Sequence, residues 1–347
     1  MQANTEYDFG IINWWWGDDH GAILTAYALQ QFVKQCGYSS QLMKCWRHYS
    51  EEQRRNGISD RFSNRYLSVT DEVYNTYEDI YSAENNRKLN AKFKGFITGS
   101  DQVFRAEWTP DSWFLTFVHG RGKIAAAASF GNNTFHCPDA SRRERLRESV
   151  QTFDFISIRE DDGVRLCREV FDRDAVHLLD PVFLVDRAKY DELSDMAEKK
   201  EKKQAYIFCY VRDRTEENTC MIDRMEKKYN LETIFCTPDM EVEEFLYYIR
   251  NSSFVITDSY HGLCFAAIYE KNYLCILNTL RGKSRFESLQ RQIGLSQDSF
   301  VEEGTADQVS EIPVNDYKAV RAKMDMEKKY GREWLRNALD TVYNRYK

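Results

Sequence analysis

Residues 8–43 read DFGIINWWWGDDHGAILTAYALQQFVKQCGYSSQLM, and the reading of this stretch decides the fold. Asp8–Asn13 is short, apolar and bounded by glycine, the pattern of a strand. Trp14 to Gly21 is a loop in which Gly17 and Gly21 permit tight turns. From Ala22 to Cys36, Ile23, Ala26, Tyr27, Gln30 and Val33 recur at helical spacing, with Leu24, Ala28 and Phe32 beside them. Gly37 stops the helix, and Tyr38–Met43 reads as the next strand. Strand, loop, helix and strand in this order open an α/β fold.

The alternation continues outward. Strands are predicted at Phe93–Thr98, Lys123–Ser129, Phe155–Ile158 and Val176–Leu179, with helices at 141–152 and 161–170. The segment 45–92 is polar and tyrosine-rich and reads as helices and loops. The run AEKKEKK, Ala197–Lys203, reads as a solvated helix end or linker. A second set follows, with strands at 206–211, 232–236, 254–257 and 273–277 and helices at 219–229, 242–251 and 262–269. Val314–Lys347 reads as charged amphipathic helices. The expectation is two doubly wound Rossmann-type α/β domains, 1–195 and 204–312, facing a cleft. A helical tail, 313–347, is expected to pack back on the first domain.

Composition narrows the function classes. The 347 residues are 42% hydrophobic with 16 Gly and 5 Pro, which is a globular composition. A net charge of −7 excludes a whole-chain basic field, so no nucleic-acid partner is expected. No stretch approaches the ~18 apolar residues of a membrane span. The start, Met1–Phe9, has no signal-peptide pattern. Nine scattered cysteines without a CxxC read as buried or free thiols in a reducing compartment. A cytoplasmic protein is expected. Aromatic residues, 14% of the chain, serve the core and suit sugar faces.

Four segments place polar groups just past a predicted strand. Trp14–Gly21 offers Asp18, Asp19 and His20 with stacking rings, either as a helix cap or as a sugar-binding loop. Thr98-Gly-Ser-Asp-Gln-Val103 offers Asp101 and Gln102, in an Asx-type turn or beside a ligand. Ser157-Ile-Arg-Glu160 puts Arg159 at a strand end, as a bidentate anion site or as an ion pair with Glu160 or Asp161. Thr257-Asp-Ser-Tyr-His-Gly262 puts His261 at a helix start, a place for acid/base work. Arg212, Arg281, Lys283 and Arg285 are further anion candidates, the last three in a dense basic loop. There is no dinucleotide G-x-G-x-x-G and no P-loop.

Together these segments resemble the polysaccharide pyruvyl transferase family. The resemblance rests on Asn13 with the helix GAILTAYAL at 21–29, TGSDQVF at 98–104, SIRE at 157–160, LDPVFL at 179–184 and FVITDSYHG at 254–262. It spans residues 8–290, and its GSDQV form is similar to a subgroup of bacterial surface-polysaccharide enzymes. It implies a GT-B-like fold, with the acceptor side in the first domain and the donor side in the second. The implied activity moves the enolpyruvyl carbons of phosphoenolpyruvate onto two hydroxyls of one sugar, giving a cyclic pyruvate ketal in capsular or surface-polysaccharide biosynthesis. Phosphoenolpyruvate is then a co-substrate, and no cofactor or metal is implied.

The resemblance also implies roles for individual residues. His261 matches the family's second-domain histidine and Arg159 the arginine closing a first-domain strand. Many members carry Arg-Leu-His where this chain has Ser259-Tyr260-His261, so another cation must hold the donor. His261, Asp101 and Asp18 are the expected catalytic groups. Arg159, Arg212, Ser259, Tyr260, Lys283 and Arg285 are the expected donor-binding groups. Asn13, Trp16, His20 and Gln102 are expected on the acceptor. The implied acceptor is a hexose such as galactose, in a polyprenyl-diphosphate-linked oligosaccharide at the cytoplasmic face of the inner membrane. Arg142, Arg143, Arg145 and Arg147 would then either face anionic lipid or belong to a plain solvated helix. Two other readings stand beside this one: a GT-B glycosyltransferase using a nucleotide sugar, and a non-catalytic glycan-binding module.

Overall fold

The computed structural model describes residues 6–45, 57–74, 83–198, 205–277, 282–302 and 304–346. The chain forms two compact units, one drawn from Met1–Gly17, Ala22–Val185 and Lys328–Lys347, the other from Asp18–Gly21 and Asp186–Glu327.

In chain order the first unit carries the strands β1 (Tyr7–Ile12), β2 (Ser40–Cys45), β3 (Val69–Tyr74), β4 (Phe93–Thr98), β5 (Gly122–Ala128), β6 (Phe155–Ile158) and β7 (Val176–His177). Its helices are α1 (His20–Gln35), α2 (Ile58–Tyr66), α3 (Ala83–Lys92), α4 (Ala140–Gln151) and α5 (Asp161–Phe171). The first residues of α1 belong to the other unit. The strands form one parallel sheet in the order β3-β2-β1-β4-β5-β6-β7. The strand order reverses between β1 and β4, and such a switch point opens a crevice beyond the strand ends.

Both faces of this sheet are buried, so its strands read as apolar runs. On one face Phe96, Ala125 and Ile156 pack in a cluster with Phe104 and Trp113. On the other, Phe9, Ile97 and Ile124 pack with Leu335, Leu339 and Val342 of the C-terminal helix. That helix seats on a glycine pair. Gly95 and Gly122 are register partners on β4 and β5. A Cβ on either would lie 2.6 or 2.3 Å from a Val342 methyl. β3 escaped the sequence reading because V-T-D-E-V-Y has no apolar run. As an edge strand it pairs only with β2, and polar edges guard against stray pairing.

The second unit continues with α6 (Arg187–Asp195), β8 (Tyr206–Tyr210), α7 (Glu216–Tyr229), β9 (Glu232–Phe235), α8 (Val242–Asn251), β10 (Phe254–Thr257), α9 (Tyr260–Ile268), β11 (Tyr273–Ile276), α10 (Ser284–Ile293) and β12 (Phe300–Val301). Its sheet is also parallel, in the order β12-β11-β10-β8-β9, and reverses between β8 and β10. Ile207, Cys209, Ile256 and Leu274 pack on one side with Met221 and Met225 of α7. Phe208 meets Phe245 of α8, which meets Phe265 of α9 edge-on. The tail is one continuous helix, α11 (Tyr317–Arg345), rather than several.

Two local corrections bear on the site. α9 begins at Tyr260 rather than Gly262, because Ser259 caps it and its Oγ accepts from the Gly262 N–H at 3.4 Å. His261 therefore stands in the first turn of a helix. The supposed basic loop becomes helical at Ser284, so Arg285 projects from α10. Arg281 lies outside the described residues, as do residues 199–203 of the charged run.

Candidate active site

Each unit has its own set of polar residues at its switch point. In the first unit they follow β1 and β4. Asn13, directly after β1, is fully buried; its Oδ1 accepts from the Trp14 N–H at 2.9 Å. Its Nδ2 has no partner among the described residues. Gly99 is required beside it, since a Cβ there would lie 2.8 Å from the Asn13 amide carbon. Two residues on, Asp101 adopts φ 70°, a left-handed conformation uncommon for a side chain other than glycine or Asn/Asp.

Asp101 is one end of a buried charge network. Arg159, with no exposed surface, donates from Nη2 to Asp101 Oδ1 at 2.8 Å and from Nη1 to Asp180 Oδ2 at 2.6 Å. Ser100 Oγ donates to the same Asp180 oxygen at 2.7 Å. Asp180 Oδ1 accepts from the Val182 N–H at 3.1 Å and from Thr25 Oγ1 at 3.4 Å. One guanidinium thus stands between two carboxylates. The Asp101 side chain keeps 15% of its surface exposed, while Arg159 and Asp180 have none. The geometry makes Arg159 the holder of Asp101 rather than an open anion site.

Around this network, Gln102 Oε1 accepts from Arg105 at 2.8 Å. The Arg105 guanidinium lies 3.4 Å from the ring centroid of Trp108, which is 51% exposed. Trp14 and Trp16 pack with Trp113 at centroid distances of 4.4 and 5.8 Å, so much of the tryptophan loop is core. The α4 arginines have protein partners. Arg142 donates to Asp111 and to the carbonyls of Ala106 and Thr109, Arg143 to the Cys137 carbonyl, Arg145 to Asp111 and Arg147 to Glu144. The lipid-facing row expected there is in good part a clamp on the loop that follows Asp101.

In the second unit the residues gather beyond β8 and β10. His261 is 4% exposed and lies flush against Gly21; a Cβ on Gly21 would come within 2.3 Å of the imidazole Nδ1. Gly262 packs as closely on Thr257. Tyr260 meets the His261 ring edge-on at 5.5 Å, and the Arg285 guanidinium lies 5.6 Å from the Tyr260 ring centroid. Arg285 is thus joined to His261 through one ring. Lys283 is engaged by Glu302 at 2.6 Å and Glu287 at 3.3 Å. The hydrogen bond to Glu302 raises its pKa above the ordinary lysine value.

The loop Asp18–Gly21 completes this set. Arg212, just past β8, pairs with Asp19 at 2.6 Å, and that charge raises the arginine's pKa further. Asp258 orders the same turn by accepting the Arg212 and Asp213 N–H groups, each at 2.8 Å. Asp18 is exposed, and its charge acts on His20 and Arg212. His20 is enclosed: Nε2 lies 2.7 Å from the Met240 carbonyl, Nδ1 lies 3.7 Å from Cys236 Sγ, and the ring stacks on Phe245. A carbonyl only accepts, so Nε2 carries the proton. Burial lowers the His20 pKa.

The family profile described as polysaccharide pyruvyl transferase matches residues 19–279, about three quarters of the chain. The chain belongs to that family. The match includes the motifs that follow β4 and β10, while Asn13 to Asp18 lie ahead of it. No curated protein matches the chain in sequence. In structure the chain is similar to UDP-GlcNAc 2-epimerase from Neisseria meningitidis bound to UDP-GlcNAc, with TM-score 0.54 and 11% identity, covering 97% of this chain and 98% of that one. It is also similar to Medicago truncatula UGT71G1 complexed with UDP-glucose, with TM-score 0.50 and 8% identity, covering 97% and 98%. These likenesses show the fold: an α/β GT-B fold of two Rossmann-type domains.

For this pyruvyl transferase family member, no helix among the described residues is long and apolar enough to cross a membrane. Among the same residues no group of three or more His, Cys, Asp or Glu is placed to hold a metal. Sequence reading offered Asp19 as a cap or sugar ligand rather than as the partner of Arg212, and passed over Asp180, Asp258 and Trp108. Asp180 was in view within LDPVFL, but only its buried contact with Arg159 marks it. Nothing local separates Trp108 from the many core rings.

Proposed function

We propose that the chain transfers the enolpyruvyl carbons of phosphoenolpyruvate to two hydroxyls of one sugar, forming a cyclic ketal for a capsular or other surface polysaccharide. The observation that carries this reading is the family match, which includes the motifs that follow β4 and β10. The donor brings a carboxylate and a phosphate, so an acidic protein must hold it with a few local cations. Arg285, which lies over the Tyr260 ring beside His261, and Arg212, on the turn that meets Asp18–Gly21, are assigned that role with Lys283. Tyr260 and the Ser259 turn would line the donor.

His261 is assigned as the acid that protonates the methylene carbon, which makes C2 electrophilic. A sugar hydroxyl attacks C2 while Asp101 takes its proton. Phosphate leaves, and a second hydroxyl of the same sugar closes the ketal. Of the two hydroxyl protons lost, one balances the proton gained by the methyl carbon and one leaves with phosphate. Arg159, held by Asp180, orients Asp101. Asp18 and Gln102 would bond acceptor hydroxyls, and the exposed ring of Trp108 suits a pyranose face. The acceptor is a hexose of a polyprenyl-diphosphate-linked oligosaccharide, met at the cytoplasmic face of the membrane.

The test is to incubate the purified chain with phosphoenolpyruvate and a panel of lipid-linked and synthetic glycosides. Phosphate release together with a product heavier by pyruvate minus water is expected. Turnover of UDP-sugars with no use of phosphoenolpyruvate would replace this reading with a glycosyltransferase. Glycan binding without either reaction would replace it with a lectin-like one.

A further inference from the structure

A cavity of about 550 Å³ opens in the first unit at the amino-terminal end of β5. Seven residues of that strand, at ~3.3 Å each, put it roughly 20 Å from the switch-point end of the sheet. Its lining includes Lys123, Arg121, Arg145, His119, Ser149 and Thr152. Lys123 is 5% exposed. Its Nζ donates to Ser149 Oγ at 3.2 Å and to Thr152 Oγ1 at 2.9 Å. Both hydroxyls send their own protons elsewhere, to the carbonyls of Phe114 and Ser149. The third ammonium hydrogen has no oxygen acceptor among the described residues; the Phe153 ring centroid lies 5.9 Å from Nζ.

The charge of Lys123 is not balanced by a paired carboxylate. Asp154 accepts its backbone N–H at 2.9 Å and forms an ion pair with Arg345. Burying an ammonium among neutral oxygens is costly, and the desolvation draws its pKa down to about 8. Two more cations line the cavity. Arg145 shares Asp111 with Arg142, which holds that carboxylate at the shorter distance of 2.6 Å against 3.3 Å. Arg121 is bonded to the neutral Asn90 carbonyl at 2.6 Å. Glu148 is the other acid of the lining. Three cations therefore face two acids, one of them already paired from outside.

We propose that this cavity binds a small oxyanion, either free phosphate or the phosphate of a small phosphomonoester, with Lys123 beneath it and Arg121 and Arg145 beside it. A dianion would supply the acceptor that the ammonium lacks and the counter-charge the arginines share too thinly. The site lies at the opposite end of the strands from the switch point and does not rest on the proposed reaction.

The experiment is competitive acylation of the intact protein above pH 8, read lysine by lysine by peptide mass spectrometry. Lys329, 78% exposed, is the internal control. Lys123 is expected to react, and millimolar inorganic phosphate is expected to slow it about fivefold, as about four-fifths occupancy would. Lys329 should react at the same rate with and without phosphate. Glycerol 3-phosphate protecting at lower concentration than phosphate would identify the phosphomonoester as the better ligand; the reverse would identify the free ion. Arg145→Gln, a change at an exposed side chain, should abolish most of the protection. A Lys123 that never reacts, that reacts equally with and without both anions, or that stays fully protected in Arg145→Gln would overturn the proposal.

Discussion

The two switch points of this chain share one architecture and use opposite chemistry. In the first unit a single arginine is buried between two aspartates, so the local balance is negative and the one partly exposed member is a carboxylate. In the second unit a histidine sits in a helix's first turn, with Arg285 one ring away and Arg212 on the adjoining turn. A parallel sheet provides the same crevice beyond its strands in both cases. What differs is the charge each set gathers: a buried arginine between two aspartates in the first, a nearly buried histidine and Arg285 in the second. Under the proposed reaction the first would take a proton from a hydroxyl and the second would give one to the donor.

The largest test of this contrast removes the acid. His261→Ala should lower kcat by about 10²–10⁴-fold, the usual contribution of a general acid, with the far-ultraviolet spectrum unchanged. Near-full activity in a folded variant would erase the contrast. Next comes the base. Asp101→Asn should lower kcat by about 10²-fold without a comparable change in the KM for phosphoenolpyruvate.

Smaller effects sharpen it. Arg285→Gln should raise the KM for phosphoenolpyruvate about tenfold, the loss of one charge-assisted contact of about 1.4 kcal/mol. An unchanged KM would move the donor to other cations. Asp180→Asn keeps the shape and removes one negative charge from Arg159. With one of its two anchors weakened, Arg159 holds Asp101 less firmly, and kcat is expected to fall about tenfold with the KM for phosphoenolpyruvate little changed. A role confined to folding would lower the Tm and leave the kcat of the folded protein in place.

The smallest effect concerns the enclosed histidine of the second set. His20 has a folded-state pKa below its unfolded value of about 6.5. The unfolded chain therefore binds the proton more readily. The stability due to neutral His20 is full above that value and is lost as pH falls below it. Wild type should lose about 2 °C more in Tm between pH 7 and pH 5 than His20→Gln does. Equal losses would mean that the ring is not buried neutral.

Much of this was legible before any coordinates. Helix α8 and strands β4, β6 and β10 stand at the predicted residues, because their apolar runs are long and sharply bounded. The four polar segments were found because each follows such a run. Lys283 and Arg285 looked alike in sequence, yet one is bound by two glutamates and the other lies over Tyr260. Of the glutamates that bind Lys283, Glu287 lies on α10 and Glu302 directly after β12, both unremarkable in themselves. Arg159 looked open to an anion because Asp180, its closest partner, is distant in the chain.

The sequence by itself determined the alternation of strands and helices, the parallel sheets that alternation requires, and the family. These follow from short-range periodicity and from motifs written in consecutive residues. Only the tertiary structure decided the strand order that puts each switch point between particular strands. It alone drew Asp18–Gly21 to the second unit, enclosed His20, set Arg159 between two carboxylates and left Lys123 without one. The reason is physical: a charge is balanced or left unbalanced by whatever the fold brings within a few ångströms, and sequence spacing carries no record of that distance.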